Sequence, residues 1–205
     1  MYQGVGRLGR GPLATTVFAS AANVLPQYEF DPAKARELLA EAGYPDGFST
    51  TIYASDLPNI RDTAAIVQNM LAQVGITATT EIIEWATYLD RTAKGEHEIY
   101  ILGWTAVTGD PDNGLTIFHR QSFGSSGNRS FYSNPNVDRL LDAGRMETDT
   151  DRRRDIYIEA QAIIHAEAPW VYTQEGEITV GIRSNLKGFR ANPVGLHPFW
   201  TAYFE

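Results

Sequence analysis

The 205-residue chain is 43% hydrophobic and 11% aromatic, enough to bury the core of one large domain or two small ones. Its 25 acidic and 17 basic residues give a net charge of −8, and no basic cluster indicates a nucleic-acid partner. The lack of cysteine excludes disulfides, thiolate catalysis and zinc–thiolate sites, and no apolar segment approaches the roughly 20 residues of a membrane-spanning helix.

The first 30 residues are rich in glycine and proline and predict an irregular segment. Residues 1–4 resemble the end of a helix whose body is missing, and residues 1–10 contain no signal-peptide core, so we expect a piece of a longer protein. Residues 4–9, Gly-Val-Gly-Arg-Leu-Gly, match a dinucleotide-binding pattern. No strand precedes this pattern and Gly11 and Pro12 interrupt any helix after it, so a dinucleotide site is not expected.

Helices and strands alternate from residue 31 onward. Asp31 and Pro32 have the preferences of a helix N-cap and of the first helical position, and Gly43 suits the end of that helix. The pattern then predicts a strand at 48–54, a helix at 58–74, a strand at 76–83, a short helix from 85 to near 95 and a strand at 99–102. Connections of helix length predict a parallel or mixed sheet covered by helices.

The stretch from residue 99 to residue 113 is the candidate site. Its apolar strand is followed by a glycine, Trp104 and a polar bend, and Asp110 and Pro111 can begin a helix. Ligands of open α/β sheets bind beyond the carboxyl ends of the strands, so this bend predicts a ligand site. The alternative is that Trp104 lies in the core and that the Asp-Pro-Asp-Asn sequence forms only a turn.

The second half of the chain contains no internal repeat. It predicts a loop at 122–130, helices at 134–146 and 150–168, strands at 171–172 and 178–182 joined by 174–177, and a tail from residue 185. Pro169 and Trp170 end the second of these helices.

Four stretches resemble one protein family. Residues 28–48, Tyr-Glu-Phe-Asp-Pro-Ala-Lys-Ala-Arg-Glu-Leu-Leu-Ala-Glu-Ala-Gly-Tyr-Pro-Asp-Gly-Phe, resemble a segment of the family 5 extracytoplasmic solute-binding proteins, which are the oligopeptide, dipeptide, glutathione and nickel receptors of ABC importers. Three further stretches agree with this family in order and approximate spacing: residues 95–104 with 109–113, residues 131–138 and residues 168–170. The resemblance covers nearly the whole chain.

The resemblance implies an α/β lobe of the type II periplasmic-binding-protein kind, with a mixed sheet flanked by helices. Residues 1–30 would be an irregular lead-in from a missing N-terminal lobe, and residues 31–168 the ligand-binding lobe. Residues 169–205 would be closing strands and a tail that return to the missing lobe, and apolar surface should be exposed where that lobe packs. A periplasmic or otherwise extracytoplasmic location is implied, with lipid anchoring of the longer parent left open.

The implied function is that of the substrate-binding component of an ABC importer. It would capture a short peptide or peptide-like solute, glutathione-like among the candidates, between two lobes, with the importer's membrane subunits as partners and without catalysis or a cofactor. The alternatives are a nickel-chelate or haem receptor of the same family, an α/β hydrolase-like enzyme domain and a pure interaction module. The sequence has no Gly-x-Ser-x-Gly motif or Walker loop, and its four histidines lack His-x-x-x-His spacing.

The resemblance also implies roles for individual positions. In peptide receptors of the family, an aspartate in the bend pairs with the ligand's α-ammonium, and Val107 occupies that position here. The arginine that binds the ligand's carboxylate corresponds to Ala54 or Ser55. Both ends of the dipeptide clamp are thus absent or moved, and the bend is more similar to that of glutathione receptors, in which hydroxyls replace the aspartate.

These considerations select the candidate ligand-binding residues. Core packing is the favoured interpretation for Trp85, whereas Arg129 is equally consistent with a fork for a ligand carboxylate and with a solvated loop side chain. A helix cap explains Asp110 better than a calcium loop does, and no metal site is expected. The candidates are Ser55, Trp85, Trp104, Thr105, Ala106, Val107, Thr108, Asp110, Asn113 and Arg129.

Overall fold

The computed structural model describes residues 6–205, so the helix end predicted for residues 1–4 and the start of the glycine pattern lie outside the described residues. The helices are α1 (Pro32–Glu41), α2 (Pro58–Ala72), α3 (Trp85–Ala93), α4 (Pro111–Leu115), α5 (Pro135–Met146) and α6 (Thr150–Glu167). The strands are β1 (Arg7–Leu8), β2 (Ser49–Ser55), β3 (Thr77–Ile83), β4 (Ile99–Tyr100), β5 (Gln174–Glu175), β6 (Leu186–Lys187) and β7 (Tyr203–Phe204). Short 3₁₀ helices lie at Thr116–Phe118, Arg120–Ser122 and Gly124–Ser126.

The central sheet consists of β3, β2 and β4 in that order, and its strands are parallel. β2 pairs with β3 along its whole length, from Ser49 opposite Thr77 to Ser55 opposite Ile83. Antiparallel pairing occurs in two separate ribbons, β1 with β5 and β6 with β7. The predicted α/β architecture is confirmed.

Helices α2 and α3 cover opposite faces of this sheet. Successive side chains of β2 point to alternate faces, which decides the helix that each side chain contacts. The face covered by α2 buries Ile52, Ala54, Ala64 and Ala78. The face covered by α3 buries Tyr53, Ile83 and Tyr88.

The predicted helix starts are confirmed by their capping contacts. The Asp31 carboxylate accepts hydrogen bonds from the backbone N–H groups of Ala33 and Lys34, each at 2.9 Å. Pro32 occupies the first helical position, where its missing N–H costs nothing. Gly43 ends the helix with a φ of +89°, a left-handed conformation that glycine adopts without strain.

A second core lies between α5, α6 and residues 13–19. Its buried members are Leu13, Ala19, Leu115, Ile117, Phe118, Val137, Leu140, Leu141, Tyr157, Ala160 and Ile164. The fully buried Gln161 side chain joins α6 to residues 19–21. Its Nε2 donates to the Ala19 carbonyl at 2.7 Å, and its Oε1 accepts from the Ala21 N–H at 3.0 Å. Part of the predicted lead-in therefore shares a core with α5 and α6, and the domain boundary at residue 30 stays a prediction.

Three predicted strands differ from the structure. The strand predicted at 99–102 has ladder pairing only at Ile99–Tyr100. Residues 171–172 and 178–182 are not strands, and pairing occurs instead at Gln174–Glu175, within the predicted connection. Strand pairing occurs at Gln174–Glu175 because β1 provides a partner strand there, with Glu175 opposite Arg7. The Glu175 carboxylate also accepts hydrogen bonds from the Thr15 N–H and hydroxyl, at 2.9 and 2.8 Å.

The C-terminal 35 residues expose much apolar surface. The most exposed large side chains there are Val171, Leu196, Phe199, Trp200 and Phe204. Exposed apolar area of this extent is typical of a surface that packs against another protein body, as the family resemblance led us to expect. Within residues 6–205, we find no helix with both the length and the apolar character needed to cross a membrane.

Candidate ligand-binding site

The candidate site lies at the carboxyl edge of the central sheet. Because β2, β3 and β4 are parallel, the segments that follow Ser55, Ile83 and Tyr100 leave the sheet at the same edge. The first of these segments leads into α2, the second into α3, which begins at Trp85, and the third into residues 103–110, which we call the elbow. The sheet topology thus brings three of the predicted site regions together.

The elbow is an exposed turn with one aromatic ring on its surface. The side chain of Trp104 is 41% exposed and that of Val107 is 52% exposed, and Thr105 and Thr108 are exposed as well. Gly109 closes the turn by donating its N–H to the Ala106 carbonyl at 2.9 Å. The alternative that Trp104 is a core residue is therefore wrong, and the elbow presents an aromatic face and two hydroxyls.

Trp104 is nevertheless held in place. Its Nε1 donates to the Asn113 carbonyl at 3.4 Å, and its ring lies against Gly127. A Cβ atom placed on Gly127 would come within 3.2 Å of Trp104 Cη2 and 2.8 Å of Ile117 Cγ2. The absence of a side chain at residue 127 therefore lets the loop approach the ring.

Asp110 fixes the other end of the elbow. Its carboxylate caps α4 by accepting from the Asp112 N–H at 2.9 Å, and it binds the Arg153 guanidinium through both oxygens. The ion pair holds the pKa of Asp110 below its ordinary value. Asn113 contributes its backbone carbonyl to Trp104 and keeps its side-chain Oδ1 buried. Asp110 thus already has internal partners, and the Asn113 side-chain oxygen is turned into the protein.

Trp85 lies on the surface, so the core interpretation of this residue is wrong. Its side chain is 38% exposed and stacks on Tyr88, with ring centroids 6.0 Å apart. Tyr88 is fully buried, and its hydroxyl donates to the Ile101 carbonyl at 2.6 Å and accepts from the Ile101 N–H at 3.1 Å. Sequence reasoning missed Tyr88. The pattern that could have indicated it is an aromatic residue one helical turn after Trp85. Its role is to anchor the backbone that leads into the elbow.

Ser55 ends β2 but is completely buried, and its hydroxyl has no hydrogen-bond partner. It lies on the α3 side of the sheet, because it shares the face of Tyr53 rather than that of Ala54. A ligand at the surface of the elbow does not reach this hydroxyl without rearrangement.

Arg129 is half-buried in the loop that follows the 3₁₀ helices, and its Nε is buried without a hydrogen-bond partner. Burial raises the pKa of Tyr100 to about 12, and the positive charge of Arg129 opposes that shift. Burial also lowers the pKa of His97, and the charge of Arg129 acts in the same direction. The charge of Arg129 therefore acts on both side chains.

The histidines do not assemble a metal centre. Among residues 6–205, no group of three or more His, Asp or Glu side chains is placed to hold a metal ion. His119 is buried, and its Nδ1 accepts from the Gln121 N–H at 3.0 Å.

Comparison with known proteins identifies the family. The family profile "Bacterial extracellular solute-binding proteins, family 5 Middle" matches residues 1–126. Heme-binding protein A of Haemophilus influenzae is 32% identical over 98% of this chain and 37% of that protein. Glutathione-binding protein GsiB of Salmonella choleraesuis is 37% identical over 81% of this chain and 34% of that protein.

A solved structure agrees with these sequence matches. The ABC transporter-associated periplasmic binding protein DppA from Helicobacter pylori, in complex with peptide STSA, matches with a TM-score of 0.85 and 34% identity. The match covers 100% of this chain and 40% of that structure, so the chain spans well under half the length of the relatives it matches. The family consists of solute-binding proteins rather than enzymes. The fold, the exposed elbow and these matches show that the chain belongs to the bacterial extracellular solute-binding proteins of family 5.

Proposed function

We propose that this chain is one lobe of the substrate-binding component of an ABC importer and that it captures a short peptide or peptide-like solute. The relatives support this proposal, because one is a glutathione-binding protein and another was solved with a bound peptide. In this proposal, a second lobe closes over the elbow and the importer's membrane subunits receive the loaded protein outside the cytoplasm. The contacts that this lobe supplies would then be half of those in a closed cleft.

The exposed elbow is the observation that carries the proposal. Trp104 offers apolar contact area for a side chain or peptide plane, and its ring is held from below by the approach of Gly127. Thr105 and Thr108 add hydroxyls that can donate to or accept from peptide groups. A surface that combines one fixed aromatic ring with a few polar groups is typical of small-ligand sites.

Val107 bears on the ligand class. Its exposed apolar side chain cannot neutralise a ligand ammonium. An ammonium enclosed beside it without a counter-charge would lose hydration free energy on the order of several kcal/mol. This supports a ligand whose amino group is held elsewhere, as we expected for a glutathione-like peptide. A haem ligand is the alternative that the Haemophilus influenzae relative supports.

An NMR titration tests the proposal. The ¹⁵N-labelled chain is titrated with Met-Leu, glutathione and haem, and the Trp104 indole signal is assigned with the Trp104→Phe variant. We expect saturable shifts of that signal and of the elbow amide signals. The affinity should be low because one lobe supplies half the contacts. The signal of the exposed Trp200 indole should stay unchanged. Shifts confined to the tail, or none with any of the three compounds, would contradict the proposal.

The Val107→Asp variant tests the interpretation of the elbow. The new carboxylate should strengthen binding of Met-Leu, which has a free ammonium, and should leave binding of N-acetylated Met-Leu unchanged. The matched control is Val171→Asp, which places the same charge on another exposed valine, outside the elbow. If Val107→Asp binds the free and acetylated dipeptides as the unmodified chain does, Val107 does not face the ligand's amino group.

A further inference from the structure

We propose that Arg129 forms a carboxylate-binding subsite beside the elbow, so that the solute captured by this lobe carries a carboxylate group. This inference rests on the proposed function, because it names the chemistry of one end of the ligand. The observations that carry it are the unpaired state of the Arg129 side chain, its partial burial and the contact of its loop with Trp104 through Gly127.

Arg129 differs from the other arginines in the part of the chain that the structure describes. It is the one half-buried arginine there whose side chain has neither a hydrogen bond nor an ion pair. The half-buried Arg91, Arg153 and Arg154 all bind carboxylates. The unpaired arginines at 10, 61, 139, 183 and 190 are exposed, where water satisfies them. Removing part of a guanidinium from water without a hydrogen-bond partner costs free energy unless an anion pairs with it.

The acidic side chains on the neighbouring segment are already engaged. Glu96 pairs with Arg91 at 3.0 Å. Glu98 accepts from the Thr50 hydroxyl at 2.9 Å and from the Thr51 N–H at 2.6 Å. Within residues 6–205, no carboxylate forms an ion pair with Arg129, and the half-buried side chain keeps part of its surface open to solvent. An anion can approach this open part of the side chain.

The loop that carries Arg129 is held by hydrogen bonds of Asn128 and contacts the elbow through Gly127. The fully buried Asn128 side chain donates to the carbonyls of His119 and Tyr132, at 3.2 and 2.9 Å. The Arg129 N–H donates to the Gly127 carbonyl at 2.9 Å, and Gly127 is the residue that lies against the Trp104 ring. In this proposal, a ligand on Trp104 meets a cation carried two residues further along the same hydrogen-bonded loop, which favours carboxylate recognition through preorganisation.

The test compares a carboxylate with its neutral amide. The ¹⁵N-labelled chain is titrated with N-acetylglycine and with N-acetylglycinamide while the Arg129 Nε–H signal and the Trp104 indole signal are recorded. We expect N-acetylglycine to shift both signals and to bind at least tenfold more tightly than the amide. Arg129→Gln should abolish this preference and Arg129→Lys should keep part of it, whereas Arg139→Gln, at an exposed unpaired arginine, should keep all of it.

Several results would overturn the inference. Equal binding of the acid and the amide would do so, as would an unchanged preference in Arg129→Gln or no shift at Arg129 with either compound. Peptide binding at Trp104 that survives Arg129→Gln at full strength would reject this subsite and leave the proposed function intact. Haem and glutathione both carry carboxylates, and parallel titrations show which of them reaches Arg129 at the lower concentration.

Discussion

The Arg153 guanidinium binds both carboxylate oxygens of Asp110, with Nη2–Oδ1 at 2.8 Å and Nη1–Oδ2 at 3.0 Å. The same guanidinium donates through Nε to the Gly144 carbonyl at 2.9 Å and lies over the Tyr157 ring. One side chain on α6 thus connects α5 with the start of α4. The Asp110 end of the elbow is consequently anchored to the helical core.

The first prediction concerns the two roles of Asp110. Asp110→Ala removes both the helix cap and the ion pair and should lower the free energy of unfolding by about 1–3 kcal/mol. Asp110→Asn keeps an oxygen that can accept from the Asp112 N–H and should cost less, about 1 kcal/mol. Urea unfolding of both variants measures the difference. Equal losses for Ala and Asn would show that the cap contributes nothing.

The second prediction concerns pH. Arg153 lowers the pKa of Asp110 in the folded protein, so the pair contributes stability above the unfolded-state pKa of about 4, and that contribution is lost as pH falls through the lower folded-state pKa. Arg153→Met should therefore be less stable than the unmodified chain at pH 7, and the gap should narrow below about pH 4. Urea unfolding at pH 7, 5 and 3 provides the measurement. A gap that stays constant across this range would mean that the loss comes from the contacts of Arg153 with Gly144 and Tyr157 rather than from the ion pair.

The third prediction concerns the support of Trp104. Gly127 has a φ of +126° and no room for a Cβ, so Gly127→Ala should destabilise the chain by about 1–3 kcal/mol and displace the Trp104 ring. Gly103→Ala is the matched control, because a Cβ there meets no atom within 4 Å. The Trp104 indole NMR signal should move in the first variant by more than in the second. A Gly127→Ala chain with normal stability and an unmoved indole would refute the close-approach argument.

The fourth prediction concerns the contact between α5 and α6. A Cβ on Gly144 would lie 2.7 Å from Tyr157 Cζ, so Gly144→Ala should cost about 1–3 kcal/mol although alanine is the better helix former. Gly176→Ala, which meets nothing within 4 Å, should change stability by less than about 0.5 kcal/mol. Thermal unfolding of the two variants provides the comparison.

The fifth prediction concerns Gln161. Gln161→Leu keeps a similar volume but leaves the buried Ala21 N–H and Ala19 carbonyl without their partner, which should cost about 2–4 kcal/mol. The control is Gln73→Leu, since the exposed Gln73 contributes only its backbone carbonyl to Arg36. Matching losses in the two variants would argue that residues 19–21 are not held by the Gln161 side chain.

The local structure was largely determined by the sequence itself. Asp31 with Pro32 and Asp110 with Pro111 predicted helix starts correctly, because capping depends on side chains within three residues of the helix end. The alternation of helices and strands predicted the α/β fold, and the Trp-Thr bend followed by Gly-Asp-Pro-Asp-Asn indicated the elbow. These signals are local, so they can be read along the chain.

The pairing of side chains across the molecule was decided by tertiary structure alone. Nothing in the sequence indicated that Asp110 would meet Arg153, that Tyr88 would anchor Ile101, or that Gly127 would lie under Trp104. The predicted strand at 178–182 failed for the same reason, since alternation indicates a strand but only a partner strand provides its hydrogen bonds. A residue's own type sets the bonds that it can make, whereas the fold, by bringing distant segments into contact, sets the bonds that it does make.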